Sequence, residues 1–327
     1  MKISKEKYQN LKQLVNEDGA IAALAIDQRG SMEKMMAKAN PDLNNIDGIG
    51  KFKELVSKEL TKYSSAILLD PIYGKKGITA KDKNAGLIMS YEKTGYDEYE
   101  EGRLPKLIEA VSGLRLKEMG ANAIKVLLYY DCDESERIND IKKAWVERVG
   151  YEAEALGLPY FLEIINYDKD IADAKGLEYS KIRPKKVIES MKVFDDQRYK
   201  VDVLKVEAPV NMNYVEGFAE NEVLFSKKEA LKFFKDQSEA TRIPFIFLSG
   251  GVSAELFQET LKFAKKAGST FNGVLCGRAT WSGAVEEFGK SEKDAQNWLQ
   301  STGKENIRSL NEVLKQTASS VFEKIEC

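Results

Sequence analysis

Short apolar runs alternate with longer amphipathic stretches along the whole 327-residue chain. The runs are Ala20–Asp27, Ser65–Asp70, Gly86–Glu92, Asn122–Tyr130, Pro159–Ile165, Val201–Glu207, Pro244–Ser249 and Asn272–Gly277. Several are apolar throughout, the pattern of parallel strands covered on both faces. Helical spacing between them picks out Gly50–Tyr63, Leu104–Met119, Arg137–Leu156, Pro184–Phe194, Ser226–Ala240 and Ser253–Ala267. Pro105 and Pro184 suit a first helical turn, and Gly120 and Gly268 suit the position just past a last one. Repeated βα units specify an α/β protein with a parallel sheet. Eight of them point to a single (β/α)8 TIM barrel, a fold of about 250 residues. The additions are a short N-terminal helix and two helices after Trp281, near Lys293–Leu299 and Glu305–Phe322. No Pro-rich or Gly/Ser-rich linker divides the chain, so residues 1–327 read as one barrel domain. A doubly wound open sheet is the competing architecture.

Three of the apolar runs carry an ionisable residue. Lys205 lies in Val201–Glu207, Lys125 in Asn122–Tyr130 and Glu163 in Pro159–Ile165. Lysine is depleted from strands and almost never fully buried unless its charge is compensated. A strand's period of two groups Val203, Lys205 and Glu207 on one face, Lys125, Leu127 and Tyr129 on another, and Phe161, Glu163 and Ile165 on a third. With those faces inward, Lys125, Glu163 and Lys205 converge in the upper barrel, where barrel enzymes keep their active sites. The bland alternative is a buried Lys–Glu pair that only helps specify the fold.

Composition narrows the chemistry. There is no histidine, which excludes Ser-His-Asp and Cys-His catalysis and zinc sites built on imidazole. Cys132, Cys276 and Cys327 are far apart, without metal-ligand spacing or the pairing of a disulfide framework. No acidic cluster suggests a magnesium site, so neither a metal nor another cofactor is expected. Acid–base work falls to Lys, Glu, Asp, Tyr or Cys. A net charge of −2, mixed along the chain, leaves no footprint for nucleic acid or an anionic membrane. The polar start and the absence of roughly 18 consecutive apolar residues argue against export and membrane insertion. A reducing cytoplasm is the expected home, and homo-oligomerisation is left open.

A free lysine titrates near ~10.4, so an amine nucleophile at neutral pH needs its pKa brought down by roughly three, on the order of 4 kcal/mol. An apolar barrel and a nearby Lys125 cation would supply such a shift for Lys205. The neutral amine attacks a ketone, and the resulting protonated imine draws electrons from the neighbouring carbon without a metal. Glu163 is placed to shuttle the protons. Asp27, at the end of the first run, is a candidate for positioning a substrate hydroxyl, with a loop cap as its ordinary alternative. Arg29 beyond it is a candidate anion contact or a solvated loop residue. Glu92 is either another polar group of the site or a loop contact. Runs seven and eight end in Leu248-Ser-Gly-Gly-Val-Ser253 and Leu275-Cys-Gly-Arg-Ala-Thr-Trp281. Glycines there let backbone N–H groups approach an anion, in the loops where barrels commonly bind phosphate, and Arg278 adds a fork suited to it. Ser249, Gly250, Gly251, Gly277 and Arg278 are therefore the candidate phosphate seat. Cys276 has no imidazole to activate it and reads as a small strand residue.

The segments Ala25–Gly30, Leu68–Pro71, Tyr91–Tyr96, Leu127–Asp131, Val203–Val210, Asn211–Phe218 and Gly273–Trp281 resemble those of the tagatose-1,6-bisphosphate aldolase family, nearly end to end. That resemblance implies a metal-independent class I aldolase on a barrel. The family splits D-tagatose 1,6-bisphosphate into dihydroxyacetone phosphate and glyceraldehyde 3-phosphate in lactose and galactose breakdown. It implies Lys205 as the Schiff-base lysine, Glu163 as the acid–base residue, Asp27 and Lys125 as supporting groups, and Arg29 at the second phosphate. Two departures are Ser249-Gly-Gly-Val-Ser253, where Ser-Ala-Gly-Val-Ser is expected, and a divergent Lys75–Asn84. The alternatives are a related Schiff-base aldolase for another ketose phosphate and a metabolite-binding regulatory protein on the same scaffold. Loss of Lys205 or Glu163 would favour the latter, and both are present.

Overall fold

A computed structural model describes residues 1–93 and 100–327. Eight parallel strands close into a barrel in chain order. They are β1 Ile21–Ala25, β2 Ala66–Leu69, β3 Gly86–Ser90, β4 Ala123–Tyr130, β5 Tyr160–Asn166, β6 Val203–Val206, β7 Phe245–Leu248 and β8 Gly273–Cys276. Pairing of β1 with β8, Ile21 opposite Gly273, closes the ring and excludes the open sheet. Each apolar run contains one strand.

The strands are apolar throughout because both faces are covered. Leu24, Ile67, Met89, Ile124, Leu162, Leu204 and Phe247 face the helix layer. Ala23, Leu68, Ile88, Ala123, Phe161, Val203, Ile246 and Leu275 fill the barrel. Full burial of each large apolar side chain contributes about 1.5–3 kcal/mol. Leu11, Leu14, Val321 and Ile325 join this interior set, and Lys2 pairs with Glu326. Both chain ends thus plug the lower mouth, leaving the C-terminal ends of the strands as the open one. Among the described residues no helix is long and apolar enough to cross a membrane.

Helix limits depart from expectation in three places. The Leu104–Met119 helix shrinks to Gly113–Glu118. Leu104 is extended, as a following proline demands, and Leu107 bridges Glu92 instead of entering a helical turn. Pro184 lies inside helix Leu177–Phe194, not in its first turn. Glu305–Phe322 divides into helix Lys304–Thr317 and a short turn at Val321–Glu323. Gly120 and Gly268 do take the left-handed conformation after their helices, at φ +93° and +83°. Of the segment Tyr91–Tyr96, the last three residues lie outside the described residues.

Candidate active site

Glu163 and Lys205 are register partners across β5 and β6, so both inward side chains stand at one level. Lys125 pairs with Phe161, one inward step lower on β4. The Glu163 carboxylate reaches both lysines: Oε1 is 2.7 Å from Lys205 Nζ and Oε2 is 2.6 Å from Lys125 Nζ. Glu163 is thus interposed between the two ammonium groups. Lys125 Nζ also donates to Asp27 Oδ2 at 2.9 Å and Glu92 Oε1 at 3.1 Å. An ammonium has three N–H bonds, and Lys125 gives one to each of three carboxylates. The Lys125 side chain is 1 % exposed and that of Lys205 6 %, so both lie behind the barrel mouth.

The electrostatics separate these groups. Burial pushes the Asp27 and Glu163 carboxyls up, but Lys125 and Lys205 outweigh it and hold both below the ordinary range. At Glu92 burial wins, and the carboxyl is raised despite Lys125 and Arg29. Burial opposes the charge on Lys125, yet Asp27, Glu163 and Glu92 keep its pKa well above the usual lysine value. Lys125 is therefore a fixed cation. Lys205 lines a cavity of about 1060 Å³ together with Asp27, Glu92, Lys125 and Glu163.

The glycine-rich ends of β7 and β8 line the same cavity. Gly250 and Gly251 have φ of +61° and +80°, which admits glycine and few other residues. A Cβ on Gly251 would lie 3.2 Å from Arg278 Nη2, so the missing side chain lets the guanidinium close in. A Cβ on Gly277 would lie 3.2 Å from Gln28 Nε2. Ser249, Gly250, Gly251, Gly277 and Arg278 are brought together on this wall. Arg278 is exposed and has no carboxylate partner among the described residues.

Arg29 is placed differently from expectation. It is 4 % exposed, and its Nη2 lies 3.2 Å from Glu92 Oε1, away from the cavity wall. The opposite charge of buried Glu92 draws the guanidinium inward. Gln28 and Ser31, which sequence reasoning passed over, line the cavity instead. The signal for Gln28 was its place beside Asp27 at a strand end. Asp131, Cys132 and Asp133 are close enough to share a metal ion. However, Lys186 Nζ bonds Asp131 and lies 3.1 Å from Asp133 and 2.8 Å from Asp168, so an ammonium already serves these carboxylates.

Residues 21–283 match the family described as DeoC/LacD family aldolase. The tagatose 1,6-diphosphate aldolase of Staphylococcus haemolyticus is 55 % identical over 318 residues, covering 97 % of this chain and 98 % of the relative. That of Staphylococcus aureus strain JH9 is 54 % identical over 321 residues, covering 98 % of each. Among solved structures, the fructose-bisphosphate aldolase of Plasmodium falciparum superposes with a TM-score of 0.67 at 16 % identity, covering 100 % of this chain and 98 % of that one. An archaeal fructose 1,6-bisphosphate aldolase gives 0.59 at 14 % identity, covering 94 % and 98 %. At these identities the structural likeness speaks for the barrel fold alone. The sequence match carries the assignment: this chain belongs to the DeoC/LacD family of aldolases.

Proposed function

We propose that this protein is a class I aldolase that cleaves D-tagatose 1,6-bisphosphate to dihydroxyacetone phosphate and D-glyceraldehyde 3-phosphate through an imine on Lys205. One observation carries the mechanism: a lysine amine on a cavity wall with a carboxylate 2.7 Å away and that carboxylate's other oxygen on a fixed cation. The substrate follows from the names of relatives 54–55 % identical over nearly the whole chain.

Glu163 takes a proton from the Lys205 ammonium, and the amine adds to the C2 ketone. Glu163 returns the proton to the carbinolamine hydroxyl, which leaves as water, and the iminium forms. Glu163 then accepts the C4 hydroxyl proton. The C3–C4 bond breaks, its electron pair moving into the iminium to give an enamine while the aldehyde departs. Protonation at C3 and hydrolysis release the second product and restore Lys205. Lys125 holds Glu163 in place, and Asp27 orients a substrate hydroxyl. The Ser249–Gly251 turn, Gly277 and Arg278 seat one phosphate through backbone N–H groups and the guanidinium. Arg29, tied to Glu92, is not assigned to the other. The chain's three unpaired cysteines support a cytoplasmic setting, and the name of its relatives supports a place in lactose and galactose catabolism.

The test is to incubate the protein with dihydroxyacetone phosphate, reduce with borohydride and map the adduct by mass spectrometry. A reduced adduct on Lys205 is expected, and an adduct elsewhere, or none with full protein recovery, overturns the mechanism. Comparing kcat/KM for tagatose and fructose bisphosphates tests the substrate. A clear fructose preference overturns that assignment and leaves the imine standing.

A further inference from the structure

Glu92 stands just past the end of β3, in phase with Ile88 and Ser90 on the inward face. It is 3 % exposed, and among the described residues both side-chain polar contacts fall on one oxygen: Oε1 accepts from Arg29 Nη2 at 3.2 Å and from Lys125 Nζ at 3.1 Å. Oε2 is buried with no hydrogen-bond partner among the described residues, as is Arg29 Nε. Leaving such atoms unpaired is costly, so a carboxylate held this way invites a functional explanation. Its consequence is felt at Lys125. Without Glu92 one of the three Lys125 N–H bonds loses its acceptor, and Arg29 becomes a buried cation without a partner. Lys125 is also the group that holds Glu163 Oε2 and so turns Oε1 toward Lys205.

We propose that Glu92, anchored by Arg29, is a positioning residue of the aldolase centre: it completes the three-carboxylate seat of Lys125, and through Lys125 it keeps Glu163 aimed at Lys205. This inference rests on the Lys205–Glu163 mechanism above. It moves Arg29 from a phosphate contact to the anchor of that seat. It also assigns Glu92 a charge role. Arg29, Lys125 and Lys205 balance Asp27, Glu92 and Glu163, three charges against three. Loss of one proton from the Lys205–Glu163 pair to solvent leaves the buried cluster net negative. Neutralising Glu92 makes that step easier, because the cluster then ends without net charge. Among the described residues, the groups facing Glu92 are Arg29 and Lys125 in contact, Asp27 and Glu163 beyond them, and the Tyr160 phenol, whose ionisation Glu92 opposes. From the segment after β3, Leu107 forms an antiparallel bridge with Glu92.

Two variants separate geometry from charge. In Glu92→Gln the amide oxygen can keep both bonds now made to Oε1, while the amide nitrogen takes the place of the unpartnered Oε2. In Glu92→Ala both the acceptor and the charge are lost. For Glu92→Ala, kcat is expected to fall by about 10²-fold, the scale of a misplaced reacting group, with KM changed only a few-fold. For Glu92→Gln, most of kcat remains and the ascending limb of the kcat/KM–pH profile moves to lower pH by roughly half a unit or more. Wild-type kcat and pH profile in both variants, or a loss confined to KM, overturns the proposal. If Glu92→Ala does not fold, as read by circular dichroism, the pH profile of Glu92→Gln decides alone. Borohydride trapping of the wild-type protein on Lys205 is run alongside. Its failure strikes the imine mechanism, whereas normal trapping with unaffected Glu92 variants strikes only this inference.

Discussion

Lys205 and Lys53 are both shut inside the protein and both meet a carboxylate, yet they lie on opposite faces of the barrel wall. Lys53, on helix Ile46–Leu60, is sealed between helix and sheet. It pairs with Asp70 and donates to the Gln28 carbonyl at 2.9 Å. The other Asp70 oxygen accepts from the backbone N–H groups of Ile72 and Tyr73. Lys186 with its three aspartates, and Lys7 with Asp202 and Glu154, are variations on the same closed arrangement. Lys205 differs in having a cavity in front of it. Lys142 is the instructive third case. It has no ion-pair partner among the described residues, only the Tyr167 hydroxyl at 3.0 Å, and burial pulls its pKa down to about 8. With no exposed surface it has no path to a carbonyl. A buried lysine becomes a nucleophile only where burial and access coincide.

The largest expected effect tests that contrast directly. Lys205→Met should lower turnover by about 10⁴-fold or more and abolish the reducible adduct, with the thermal midpoint retained. A comparable loss of adduct in a folded Lys53→Met protein would break the distinction. Next, Lys53→Met should cost about 3–5 kcal/mol in chemical denaturation, because Asp70 is left as an unpaired buried charge. Replacing both partners with apolar residues should recover most of it. Arg278→Ala should lower kcat/KM by roughly 10–100-fold, the worth of a charge-assisted hydrogen bond to phosphate, while trapping on Lys205 with a phosphate-free ketone is spared.

A separate effect, read in stability rather than activity, concerns Lys142. Its folded pKa lies below the unfolded lysine value of ~10.4, so between about pH 8 and 10 the unfolded chain holds the extra proton and stability rises with pH. The penalty is fully present below the folded pKa and is relieved as pH climbs through it. Relative to Lys142→Met, wild type should gain about 2–3 kcal/mol between pH 7 and 10 in denaturant titrations. Parallel curves for the two proteins would show that burial does not discharge this lysine.

Much of the arrangement was legible along the chain because strand periodicity is local. Two-residue phase grouped Lys125, Glu163 and Lys205 each on one face of its strand, and glycines at the ends of β7 and β8 marked the neighbouring part of the cavity wall. The Leu104–Met119 helix was misread for a reason that is only partly local. The proline constraint on Leu104 was visible, but the pairing of Leu107 with Glu92, distant in sequence, was not. The inward turn of Arg29 was not legible because an arginine four residues past the end of β1 can turn toward solvent or inward.

The sequence by itself determined the strand count, which residues share a face of each strand and the absence of imidazole chemistry, since these depend on composition and on the periodicity of each strand. Only the tertiary structure decided which charges meet. Barrel closure and register set Glu163 opposite Lys205, gave Lys125 three carboxylates and paired Arg29 with Glu92. Those pairings turn on ångström-scale separations between side chains from remote strands, and both Coulomb energy and desolvation change steeply over such distances.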